Sequence, residues 1–141
     1  MLGVDLGTRR IGLAISDPTG TLATPLAVLA RASKPALDHA AIVSTALEEE
    51  AARIVVGLPR SLSGSDGPAA RLVRDEVEEL RGVAGDDLPV DLYDERFSTV
   101  TATRQLREAG RRRVRDSVDA AAAAVILQSY LDGPERSGDG A

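Results

Sequence analysis

The first sixteen residues, MLGVDLGTRRIGLAIS, alternate with period two, a pattern that belongs to strands and not to helices. Leu2, Val4 and Leu6 point one way, and Gly3, Asp5 and Gly7 point the other. After a turn at Thr8-Arg9-Arg10, Ile11, Leu13 and Ile15 line one face of a second strand, with Gly12, Ala14 and Ser16 on its reverse. Paired as a hairpin, the two strands give a sheet with one apolar face. The other face is stripped of bulk around a single carboxylate.

The remaining chain extends this start into an α/β unit. Strands are predicted over 2–7, 10–17 and 22–31, the third with Pro25 at an edge or bulge position. A helix over 35–51 starts near Ser33 and runs into Glu48-Glu49-Glu50. The segment RIVVG (53–57) is short and apolar between a helix and a turn, as an interior parallel strand should be. The loop PRSLSGSDG leads to a helix over 68–81, a strand over 89–93, and helices over 98–109 and 117–131. The tail from residue 133, GPERSGDGA, is expected to be disordered. Early strands followed by alternating helix and strand predict a mixed five-stranded sheet flanked by helices, in a single domain over residues 1–132.

Composition narrows the function. With 43% hydrophobic and 28% charged residues, the chain reads as a soluble globular protein. It has no cysteine, which excludes disulfides and thiolate metal sites. No signal pattern and no apolar run of about 18 residues is present, so a cytoplasmic protein without a membrane partner is expected. The net charge of -5 argues against a general polyanion binder, but the charge is unevenly placed. Arg104, Arg107, Arg111, Arg112, Arg113 and Arg115 cluster with only Glu108 among them, and Arg9 and Arg10 lie beside Asp5. Phosphate contacts are local, so nucleic-acid binding follows these arginines. Phe97, Tyr93 and Tyr130 are the only aromatics, too few for a stacking platform, and recognition should rest on backbone shape and charge.

Two further acids are candidates to join Asp5. Glu95, in DERFST, follows a predicted parallel strand at its carboxyl end, where ligands collect in open sheets; the alternative is a loop carboxylate paired with Arg96. Ser98 or Thr99 would cap the next helix. Asp119 shares a helical stripe with Ala122, Ala123, Ile126 and Tyr130, and a carboxylate packed there needs a cation or donors. Asp116 is better explained by the helix dipole. The one histidine, His39, reads as a mid-helix surface residue. Three carboxylates without cysteine suit Mg²⁺ or Mn²⁺. Two such ions can activate a water and steady the leaving oxygen of a phosphodiester. Gly3, Gly7 and Gly12 would then keep the face of Asp5 open for a nucleic-acid backbone, or else simply ease a tight, twisted hairpin.

The segments GVDLGTRRIGLAISD, RIVVGLP, DERFST and VDAAAAAVILQSYL, in this order, closely resemble the YqgF/RuvX family, relatives of the RuvC resolvases within the ribonuclease H-like superfamily. The match runs from about Leu2 to Leu131. The resemblance implies a ribonuclease H-like fold and a metal-dependent nuclease that leaves a 5′-phosphate. It places the family's metal-binding acids on Asp5, Glu95 and Asp119, as the residues' own spacing does, and basic positions on Arg9 and Arg96. Arg10, Arg112, Arg113 and Arg115 are further candidates for substrate phosphates. One departure stands out: the family's lysine shortly before the third acid is replaced here by Asp116 and Ser117, with Arg115 the nearest basic residue to stand in for it.

The resemblance implies two substrates, the 5′ end of precursor 16S rRNA and the Holliday junction. The first needs one active site in a monomer and the second a homodimer. With no apolar stripe announcing an interface, RNA processing is the expectation. Two rivals come from other classes: a catalytically silent RNA-binding assembly factor, and an ATPase of the actin-like type, whose phosphate loop DLGTRRIG resembles. The ATPase needs two such domains.

Overall fold

The computed structural model describes residues 1–60, 65–97 and 115–133, the first four residues of the last stretch by backbone alone. The strands are β1 (Leu2–Leu6), β2 (Arg10–Ser16), β3 (Ala23–Ala30), β4 (Ile54–Leu58) and β5 (Val90–Asp94). The helices are α1 (Pro35–Glu48), α2 (Pro68–Ala84) and α3 (Arg115–Asp132), with a 3₁₀ turn over Glu95–Phe97. The strands form a five-stranded mixed sheet in the order β3-β2-β1-β4-β5. β1 pairs antiparallel with β2 and parallel with β4, and β4 pairs parallel with β5. The predicted helix over 98–109, the caps Ser98 and Thr99, and the tail 134–141 lie outside the described residues.

Each predicted strand is found, and Pro25 explains itself. It lies on the edge strand, opposite Ala14, at the register shift where β3 carries one residue more than β2. A proline there has no ladder hydrogen bond to lose.

The period-two reading also holds for both faces. Leu2, Val4, Ile11 and Leu13 join Ile54, Val56 and the buried sides of α1 and α2 in one core. On the opposite face Ala14 and Val55 pack against Ala123, Ile126 and Leu127 of α3. Among the described residues the sheet is therefore sandwiched, with α1 and α2 on one side and α3 on the other. No helix among the described residues is long and apolar enough to cross a membrane.

α1 stops at Glu48, short of the predicted 51, because Glu50 turns left-handed with φ 56°. The amide of Ala51 donates to the Ala46 carbonyl and that of Glu50 to Leu47, a Schellman closure with glutamate where glycine is usual. Glu50→Gly relieves a strain of about 1 kcal/mol and is expected to raise the thermal midpoint by a few degrees.

His39 corrects the sequence reading. It is 1% exposed, not a surface residue, and its Nε2 lies 2.9 Å from Glu76 Oε2 across the α1–α2 seam. Burial works against the Glu76 charge, but hydrogen bonds from Arg31 and His39 and their charges outweigh it, leaving this carboxyl below its ordinary range. A depressed carboxylate contributes stability that is present above its unfolded value, 4.5, and lost as pH falls through the folded one. Thermal melts should therefore show stability declining on acidification below about pH 4.5, with Glu76→Gln flattening that decline.

Candidate active site

Asp5 sits on the central strand with a glycine on each side. Its cross-strand partner on β2 is Gly12, and Gly57 on β4 lies one step beyond Val56, the partner of Val4. A Cβ on Gly12 would stand 2.1 Å from the Asp119 carbonyl oxygen, which is backbone and cannot swing away. One on Gly57 would stand 2.6 Å from Ile126 Cδ1 and 3.2 Å from both Cγ and Oε2 of Glu95. The missing side chains thus let α3 descend beside Asp5 on one flank and Glu95 fold over the sheet on the other. All three carboxylates occupy the same face of the sheet.

This overturns the expectation that Gly3, Gly7 and Gly12 hold the face open for substrate. Gly3 would meet Leu127 Cβ at 2.8 Å, Gly12 meets Asp119, and Gly7 would strike the Arg10 carbonyl at 2.5 Å within its own turn. Space on the Gly3–Gly12 side is filled by the protein's own helix. The reason is physical: a small-residue face permits close approach by whatever the topology delivers, and here that is α3.

Asp5, Glu95 and Asp119 are only 2%, 4% and 3% exposed. Carboxylates so far from water require compensating charge or donors. Glu95, which the alternative reading pairs with Arg96 as a loop carboxylate, is buried. It opens the 3₁₀ turn after β5, and the turn is fixed by its neighbour. Asp94 Oδ1 accepts from the Arg96 amide at 2.9 Å, and Oδ2 accepts from Arg96 Nε at 2.9 Å and Arg60 Nη1 at 3.3 Å. Burial works to raise the Asp94 carboxyl, but the Arg96 hydrogen bonds and the charges of Arg96 and Arg60 bring it below its ordinary value. Arg60 continues to Asp66, which also holds Arg74.

The basic candidates divide. Arg9 is exposed on the β1–β2 turn, and Arg10, half-buried, begins β2. Arg96 grips Asp94 and lies over the Phe97 ring, 5.3 Å from its centroid. Arg112 and Arg113 lie outside the described residues, as do the side chains of Arg115 and Asp116. Because β1, β4 and β5 are parallel, the Arg9 turn, Arg60 and Glu95 gather at one end of the sheet, the carboxyl end. Gly57, Arg60 and Asp94 were missed in the sequence. The glycine ending the apolar run RIVVG was the available signal, since glycine within a strand marks a close approach.

The donor set is oxygen-only, which fits a hard divalent ion such as Mg²⁺ or Mn²⁺. Among the described residues, no three His, Cys, Asp or Glu side chains are drawn together closely enough to clasp one ion. Asp5, Glu95 and Asp119 nonetheless lie on one face of the sheet, beside Gly12 and Gly57.

A ribonuclease H-like sheet with buried acids around its central strand defines a class, the nucleases of that fold. The family model described as "RuvX: Holliday junction resolvase" matches residues 1–133, and the chain belongs to that family. A protein of an Anaeromyxobacter species is 48% identical over 134 residues, covering 94% of this chain and 96% of its own. One from Streptomyces coelicolor is 45% identical over 140 residues, covering 97% and 82%. Both carry the provisional name pre-16S rRNA nuclease. Among solved structures, Thermus thermophilus RuvC in complex with a Holliday junction aligns with a TM-score of 0.56 at 18% identity, over 97% of this chain and 94% of that one. The fowlpox virus resolvase with junction DNA aligns at 0.53 and 10% identity, over 94% and 100%. These two likenesses establish the fold.

Proposed function

We propose that the protein is a divalent-metal-dependent nuclease that trims the 5′ end of precursor 16S rRNA. The observation that carries this reading is the placement of Asp5 between Gly12 and Gly57, with buried Asp119 and Glu95 brought over those glycines. Asp5, Glu95 and Asp119 would hold Mg²⁺ or Mn²⁺, as two ions. Such ions neutralise charge on the phosphoryl oxygens and raise the acidity of water at neutral pH. The chain's own residues do the rest. Asp5, on the rigid central strand, sets the position of the centre, and Arg60, Asp94 and Arg96 hold the turn from which Glu95 projects. Arg9, Arg10 and Arg96 bind backbone phosphates at the carboxyl end of the sheet; Arg112, Arg113 and Arg115 are added as phosphate contacts on the sequence alone. Precursor rRNA is preferred as substrate because relatives at 42–48% identity carry that name along nearly the whole chain.

The family description favours a second reading, resolution of four-way DNA junctions, which needs paired cuts from a symmetric dimer. A side-by-side assay separates the two. With Mg²⁺ or Mn²⁺ present, the protein is expected to cut a precursor 16S 5′ segment and to leave a four-way junction intact, and a chelator should abolish cutting. Junction cleavage in preference to RNA would replace the first reading by the second. Binding without cleavage of either would make the protein a silent assembly factor.

A further inference from the structure

The β1–β2 turn that carries Arg9 is tied to the opposite side of the sheet through one guanidinium. Arg31 follows β3 directly, and its amide donates to the Arg9 carbonyl at 2.9 Å. Its Nε donates to the Gly7 carbonyl, also at 2.9 Å. Nη1 and Nη2 donate to the two oxygens of Glu76 on α2 at 2.5 and 3.0 Å, and Nη1 reaches Asp38 Oδ2 on α1 at 3.2 Å. The acids are themselves fixed. Asp38 Oδ1 accepts from the Ala32 amide at 2.8 Å, and Glu76 Oε2 is 2.9 Å from His39 Nε2. Side chains of Asp38 and His39 are 5% and 2% exposed and those of Arg31 and Glu76 20% and 17%, so the cluster is largely buried. No part of it enters the proposed reaction.

A buried ion cluster is weak evidence for stability, because desolvation of the charges offsets most of their attraction. Its geometry is more informative. Two helices supply carboxylates whose shared object is a planar fork, and the remaining donor of that fork holds a backbone carbonyl two residues after Asp5. We infer that Arg31 is a positioning residue: its guanidinium fixes the Gly7 carbonyl, beside the Arg9 carbonyl that its backbone amide holds, and so sets where Arg9 stands relative to Asp5. The inference rests on the reading of Arg9 as a contact to a substrate phosphate. Lysine cannot replace Arg31 in this role, since a single ammonium cannot reach the Gly7 carbonyl and both carboxylates from fixed, separate directions.

The test is a double-mutant cycle on kcat/KM for cleavage of the precursor RNA segment, using Arg31→Lys, Arg9→Ala and the pair. Arg31→Lys is expected to lower kcat/KM about tenfold in the wild-type background and less than about twofold beside Arg9→Ala, because the turn's function is then already lost. Equal losses in both backgrounds would mean a general structural effect and overturn the inference. Amide exchange gives a readout independent of activity. The Gly7 amide, bonded to the Arg10 carbonyl, should exchange at least about tenfold faster in Arg31→Lys, and unchanged exchange also overturns the clamp. If Arg31→Lys does not fold, Glu76→Gln removes the charge and one of the two bonds to the guanidinium, since only the amide oxygen can accept. It should show the same non-additive pattern at about threefold, and an additive one rejects the inference. Failure of the underlying reading looks different: Asp5→Asn would cleave like wild type, whatever the exchange at Gly7.

Discussion

Asp5→Asn should abolish cleavage while leaving the protein folded. Loss of the central carboxylate removes several kcal/mol of transition-state stabilisation, about 10³-fold in rate. The variant should fold as wild type does in metal-free buffer, because the amide has almost the shape and volume of the carboxylate it replaces. Added Mg²⁺ should then raise the thermal midpoint of wild type and not that of the variant. Cleavage assays and paired melts, with and without the ion, measure both halves. Loss of activity together with loss of folding would assign Asp5 a structural role instead.

Gly12→Ala is the second large effect, and it acts through backbone. The new methyl would meet the Asp119 carbonyl oxygen at 2.1 Å and its carbon at 2.6 Å, distances no side-chain rearrangement can relieve. α3 must lift away from β2 or the strand must bend. Overpacking of this kind costs about 3 kcal/mol, a drop of about 10 °C in midpoint for a domain this size. Asp119 moves with the helix, so activity should fall more than stability alone accounts for, even at temperatures where the variant is fully folded. An undisturbed midpoint would show that α3 does not pack on Gly12 as described. A control at Gly67 meets nothing within 4 Å and should cost little through packing.

What was legible in the sequence depended on the range of the signal. The hairpin of β1 and β2, with Asp5 on the small-residue face, follows from period two over a few residues. Asp119 was equally readable, because its stripe with Ala122, Ala123 and Ile126 is local to one helix, and those residues are buried on the sheet. The glycines were located correctly but given the wrong occupant. Periodicity says which face is bare, not which distant element will cover it, and α3 is more than one hundred residues away from Gly12. Glu95 could be ranked only through its position after a parallel strand and through family resemblance. Its support from Asp94 and Arg60 links residues 34 apart in the chain and left no local pattern. The same holds for Arg31 with Glu76, 45 apart. His39 was misplaced because the polar cluster it joins makes its face of α1 look like solvent.

Binding of Mn²⁺ itself tests the account most directly, followed by electron paramagnetic resonance on wild type, Asp5→Asn, Glu95→Gln and Asp119→Asn, each verified as folded. The account predicts saturable binding by wild type and at least about tenfold weaker binding by every variant. Binding undiminished in all three would contradict it.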